Sequence, residues 1–138
     1  MPSGIDLILA DHRRVEALFE EFEQTGNADL IGQVIDALKG HDDAEQAALY
    51  PFAGNLLGDV ALIEGLAAAH SYVKKQIDLI TTREGLPLLE AFLGLRDMVA
   101  EHVADEENNL LPALTEHATT QQLEGLGARI LQAKQRVG

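Results

Sequence analysis

Four histidines and two glutamates of this chain stand where a helical protein would otherwise place leucine. His41 is followed four residues later by Glu45, and His102 by Glu106; Pro51 and Pro112 each lie ten residues beyond the histidine. A four-residue step on a helix stacks two side chains on one face, one turn apart. One imidazole and one carboxylate on one face, presented twice, is a way to build a two-metal site. His12 and His70 supply two further imidazoles on other segments.

These groups need elements to carry them, and the apolar residues supply the pattern. The first stripe is Ile5, Ile8, His12, Val15, Phe19, Phe22, opened by a Ser3/Asp6 capping box and closed by Gly26-Asn27. The second is Ile31, Val34, Leu38, His41, Glu45, Ala48, Phe52. Its helix is expected to run from about residue 28 to Tyr50, because proline disfavours helical geometry just before it. Phe52 then belongs to the turn, and Gly54, Asn55 and Gly58 mark the link onward.

The third stripe is Ile63, Leu66, His70, Val73, Ile77, Ile80, ending near Arg83-Glu84-Gly85. Pro87 suits the first turn of a fourth helix with the stripe Leu88, Phe92, Leu95, Val99, His102, Glu106, Asn109, Ala113, which Pro112 ends or kinks. A fifth segment, about 119–136, opens on a Thr119/Gln122 capping box and carries Leu123, Leu126, Ile130 and Ala133. It holds no histidine and is expected on the outside of the bundle, where its stripe could also serve a homo-oligomer interface. The fold expected is all-α: an up-down-up-down four-helix bundle over about residues 3–117 with an additional C-terminal helix, in a single domain spanning 1–138.

Composition narrows the chemistry. Aromatic residues make up only 4% against 46% hydrophobic, which suits aliphatic helix packing better than strands. The absence of cysteine excludes disulfides, thiolate metal sites and thiol catalysis. A formal charge of −13 argues against a nucleic-acid partner bound through a basic surface. No segment reads as a signal peptide and no apolar run approaches membrane-spanning length, so a cytoplasmic protein without a membrane partner is expected. Glycine-rich phosphate loops, a dinucleotide fingerprint and the zinc-protease His-Glu-x-x-His pattern are absent.

A single histidine on an apolar face is ordinarily a hydrogen-bonded core residue. The joint pattern is different. No arginine or lysine falls on the four stripes, so Glu45 and Glu106 would be buried without a cationic partner, at several kcal/mol each. A pair of metal ions removes that cost. Imidazole with carboxylate suits iron, zinc, manganese and, less often, copper, and six donors exceed what one zinc ion needs. Two octahedral ions offer about twelve places; four histidines and two bridging carboxylates fill about eight, an oxo or hydroxo bridge about two more, and about two stay open. The Glu-x-x-His pairs of ferritin-like di-iron proteins are not found here.

With His12, His41-Asp-Asp-Ala-Glu45 leading to Leu49-Tyr50-Pro51, His70, and His102-Val-Ala-Asp-Glu106-Glu107 leading to Leu110-Leu111-Pro112, the chain resembles the haemerythrin-like family of HHE cation-binding domains over about residues 5–115. The resemblance implies a non-haem di-iron site in which His12, His41, His70 and His102 bind iron terminally and Glu45 and Glu106 bridge. Oxygen-carrying members have a further histidine four residues after the third-helix histidine. Here that residue is Lys74, which cannot ligate when protonated. The five-histidine set of an oxygen carrier is therefore not reproduced, and the iron has more room for peroxide, water or a substitute ligand.

Tyr50 is a candidate substitute, although a core tyrosine with a bonded hydroxyl is the ordinary reading. Tyr72 should face away from the site, and Asp42 and Glu107 should point outward or orient a neighbouring imidazole. His117 fits a surface or helix-end position. The leading functional expectation is a di-iron protein that binds O2 or peroxide, with redox activity such as peroxide disproportionation; nitric oxide could occupy the same open position. The alternative is an oxygen, nitric oxide or iron binding or sensing module without turnover.

Overall fold

A computed structural model describes residues 2–137, with the side chains of 136 and 137 left out of the description. Five helices follow one another. Helix α1 is Gly4–Thr25. Helix α2 covers residues 29–57 and joins α-helix Asp29–Ala44, a π-helical stretch Glu45–Leu49 and α-helix Tyr50–Leu57. Helix α3 is Val60–Thr81. Helix α4 covers residues 85–117 and joins Gly85–Asp105, a second π-helical stretch Glu106–Leu110 and Leu111–His117. Helix α5 is Thr120–Val137.

The ends obey local chemistry. Ser3 and Asp6 bond reciprocally across the first turn of α1, and Gly26 takes the left-handed φ of 66° that stops it. Gly58 (φ 68°) stops α2, and the Asp59 carboxylate accepts from the Leu62 amide to start α3. Thr119 and Gln122 form the expected box at the start of α5.

Two apolar clusters hold the bundle, one on each side of the histidines. Phe19, Phe22, Val34, Leu38, Ile77, Phe92 and Leu95 belong to one; Ile8, Leu49, Phe52, Leu66, Leu110 and Leu114 belong to the other. The first half of α1 and α3 lies in the second cluster and their later half in the first, whereas α2 and α4 do the reverse. The four helices therefore alternate in direction, as an up-down-up-down bundle requires. Helix α5 packs against α1, α2 and the π turn of α2, with Leu126 and Ile130 fully buried. Its apolar stripe is thus spent inside this chain rather than left free for a second copy. Among the described residues there is no strand, and no helix is long and apolar enough to cross a membrane.

The prolines correct the expected boundaries. Pro51 and Pro112 do not end their helices; each sits in the first turn of a further α-helical run. Just before each, a π turn makes an i to i−5 bond: Tyr50 N–H to the Glu45 carbonyl and Leu111 N–H to the Glu106 carbonyl. The changed register leaves the proline where a missing N–H does little harm. Phe52 is accordingly helical and buried, Gly54 and Asn55 are helical, and the link to α3 shrinks to Gly58 and Asp59. In α4 the turn shifts the buried stripe, so Leu110, Leu111 and Leu114 are buried, Asn109 is exposed and Ala113 is only half-buried.

Candidate metal centre

Each of the first four helices brings one histidine to the layer between the two apolar clusters, and all four are buried. Glu45 and Glu106 are 0% exposed, so whatever neutralises them lies inside the protein. Two groups of donor atoms form, each with its members within 4.8 Å of one another: His12, His41, Glu45 and Glu106, and then Glu45, His70, His102 and Glu106. Both glutamates belong to both groups, which is the arrangement that two carboxylate-bridged cations would use.

His12 Nε2 lies 3.0 Å from Glu106 Oε1, and His70 Nε2 lies 2.7 Å from Glu45 Oε1. His102 Nε2 is 3.2 Å from Glu106 Oε2. His41 Nε2 and Glu45 Oε2 are 3.1 Å apart, yet neither has a hydrogen-bond partner among the described residues. A buried imidazole nitrogen and carboxylate oxygen that converge without bonding each other present the donor set a cation requires, so these residues fit a bound metal.

The outward ring nitrogens are held by carboxylates. His12 Nδ1 lies 2.8 Å from Glu107 Oε2, His41 Nδ1 lies 2.8 Å from Asp11 Oδ2, and His70 Nδ1 contacts Asp42 Oδ1. A proton donated from Nδ1 to a carboxylate leaves Nε2 with its lone pair facing the centre. Each of these carboxylates neighbours a different donor in sequence, so α1, α2 and α4 each orient the histidine of another helix. Asp42 and Glu107 thus take the orienting role, and Asp11 joins them although sequence reasoning passed over it. The signal was present: Asp11 adjoins His12 as Asp42 adjoins His41. His102 Nδ1 is buried with no partner among the described residues.

Tyr50 reaches the centre because of the π turn. Five α-helical residues would leave it roughly 140° around the helix from Glu45; the i to i−5 turn brings it back to the same face. Its hydroxyl donates to Glu106 Oε2 at 2.6 Å and lies 2.7 Å from His70 Nε2. Tyr72 and His117 are exposed, as expected, and Lys74 pairs with Asp42 Oδ2 at 3.2 Å instead of entering the centre.

Charge couples these groups in the metal-free chain. Burial alone would lower the His41 pKa, but the Glu45 charge, the hydrogen bond His41 donates to Asp11 and the Glu106 charge push it up to about 10. Burial likewise opposes His102, which Glu106 and Glu45 hold at about 9. Burial would raise Glu45, but His41, His102 and His70 hold it well below the ordinary carboxylate value. Burial and the two glutamate charges push the Tyr50 hydroxyl far up, so it stays protonated there. Asp11, which burial would raise, is lowered by hydrogen bonds from His41 and Lys134.

The haemerythrin HHE cation-binding domain matches residues 3–114. This chain belongs to that family. The match takes in all six histidine and glutamate donors and ends before α5. A relative from Nostoc sp. (strain PCC 7120), named a DNA nickase, is 28% identical over 138 residues. The alignment covers 96% of this chain but only 39% of the Nostoc protein. No solved structure matches. Family and buried His/Glu groups together make this HHE chain a metal-binding module.

Proposed function

We propose that this HHE domain holds two iron ions, binds O2 or peroxide between or beside them, and disproportionates hydrogen peroxide. The observation that carries the reading is the pair of donor groups sharing Glu45 and Glu106, with His41 Nε2 and Glu45 Oε2 left unbonded. His12 and His41 would hold one ion, His70 and His102 the other, and the two glutamates would bridge. When bound, the ions supply Lewis acidity and exchange electrons with peroxide.

The chain's own part is spatial and protonic. A cavity of about 50 Å³ adjoins the imidazoles, walled by Val15, Leu38, Ile77, Val99 and Val103. That is room for a diatomic ligand or a few waters. Apolar walls limit water and favour small neutral ligands such as O2, nitric oxide or hydrogen peroxide. Tyr50 stands at the opposite side with a proton on its hydroxyl oxygen, 2.6 Å from Glu106 Oε2. It holds that proton beside the centre, and its oxygen would be a further donor for an ion held there. In the overall reaction one peroxide is reduced to water and a second is oxidised to dioxygen, so no outside reductant is needed.

The test is an anaerobically iron-loaded sample given excess peroxide. About two irons per chain and oxygen evolved over many turnovers, abolished in Glu106→Gln, are expected. A single ion, or zinc alone, would sink the di-iron reading. A second reading, a binding or sensing module without turnover, draws on the Nostoc relative, of which the aligned stretch is only 39%. Stoichiometric reaction without turnover would favour it. A cytoplasmic location and the lack of a nucleic-acid partner remain part of the proposal, the latter supported by the −13 charge.

A further inference from the structure

We propose that α5, which lies outside the family match, is wired to the metal centre, and that Lys134 and Asp11 are positioning residues for His41 as a ligand. The inference rests on the di-iron reading above.

Three of the four histidines sit at the inner end of a relay. Arg13 pairs with Glu107, which holds His12; Lys74 pairs with Asp42, which holds His70; Lys134 pairs with Asp11, which holds His41. Arg13 and Lys74 come from the bundle helices themselves and are 56% and 64% exposed. Lys134 comes from the added helix and is 32% exposed, the most enclosed of the three.

The helix that carries Lys134 is fixed in place. Leu126, Ile130 and Ala133 are buried on the stripe that leads to it. A methyl group added at Gly4 would meet the Leu126 side chain at 2.4 Å, and one at Gly127 would meet the Pro2 carbonyl oxygen at 2.4 Å. These close approaches at glycine seat α5 against the start of α1, in the register that sets Lys134 on Asp11.

The consequence for the centre follows from the chemistry of an imidazole–carboxylate pair. Asp11 accepts the Nδ1 proton of His41 and keeps Nε2 aimed at Glu45 Oε2, the position where both atoms are unbonded. Lys134 holds the second carboxylate oxygen, Oδ1, and so prevents Asp11 from rotating away. Losing an outer partner of this kind typically weakens metal binding by roughly 10–100-fold. The loss should fall on the ion of the His12/His41 group and leave the His70/His102 group unchanged.

The experiment is a titration of the full metal-free chain with Co(II), followed by visible absorption, in wild type, Lys134→Met, Lys134→Arg and Asp11→Ala. Methionine keeps the buried stem of the lysine, and the melting temperature of each metal-free variant checks the fold. Expected are two binding steps in wild type, one of them weakened about tenfold in Lys134→Met, more in Asp11→Ala, and restored by Lys134→Arg. Two unaltered steps in Lys134→Met would overturn the relay. So would a loss that arginine fails to restore, or one that merely tracks a lowered metal-free melting temperature. Fewer than two steps in wild type would instead overturn the two-ion reading itself.

Discussion

The two copies of the His-x-x-x-Glu motif share a backbone and differ in what they deliver. In both, a π turn starts at the glutamate and a proline follows it. The residue five beyond the glutamate is Tyr50 in the first copy and Leu111 in the second. The same geometry thus sends a hydroxyl into the centre from α2 and a buried aliphatic group from α4. The residue after the histidine differs too: Asp42 holds the His70 imidazole, whereas Val103 lines the apolar cavity. A repeated scaffold therefore yields an asymmetric centre: at these two positions the first copy supplies a hydroxyl and a carboxylate, and the second supplies packing.

The largest test of this contrast concerns what the copies share. Glu45→Gln and Glu106→Gln should each weaken the second ion by more than about 100-fold, the upper range for partners one step further out. Metal analysis after gel filtration would read this; retention of two ions in either variant breaks the shared-bridge arrangement. Next comes the residue at which the copies part. Leu111→Ala should cost about 2–5 kcal/mol of stability by opening a core cavity. Tyr50→Phe should cost far less, yet alter the absorption spectrum of the ferric form. An equal loss of stability in both, with no spectral change, would reduce Tyr50 to packing.

A third test uses acidity. His41 and His102 are raised above 6.5, to about 10 and about 9, so the stability their protons give the metal-free chain is complete below 6.5 and drains as pH rises towards those values. Glu45 is lowered, so its share disappears on acidification. Melting of the metal-free chain should therefore fall between about pH 7 and 10, while metal affinity, which needs neutral imidazoles, should rise over the same range. Parallel trends would contradict the charge coupling. The smallest effect belongs to the prolines. Pro51→Ala and Pro112→Ala should destabilise by at most about 1 kcal/mol; stabilisation approaching about 3 kcal/mol would mean the π turns do not relieve the rings.

Much of this was legible in the sequence, for identifiable reasons. The six donors announced themselves by breaking an otherwise apolar stripe, and stripe spacing alone set the helix order. Serine, threonine and glycine marked the ends of α1 and α5 through capping chemistry that acts over three or four residues. The π turns were not legible, because a one-residue change of register carries no propensity of its own. Stripe spacing alone therefore puts Asn109 at a core position that Leu110 takes, and it offers Tyr50 as a candidate ligand without the turn that brings it onto the donor face. The relays were hidden for a different reason. Lys134 and Asp11 are 123 residues apart, and no local pattern pairs a surface-type cation with a carboxylate at that distance.

The two apolar clusters flank the donor layer, so each of the four bundle helices is gripped on both sides and crosses a plane of ionisable groups in between. Amide protection against hydrogen exchange usually declines from the middle of a helix towards its frayed ends. Without metal, these helices should exchange fastest at mid-length, around the histidines. The metal would then act as a rivet between two separately cooperative halves.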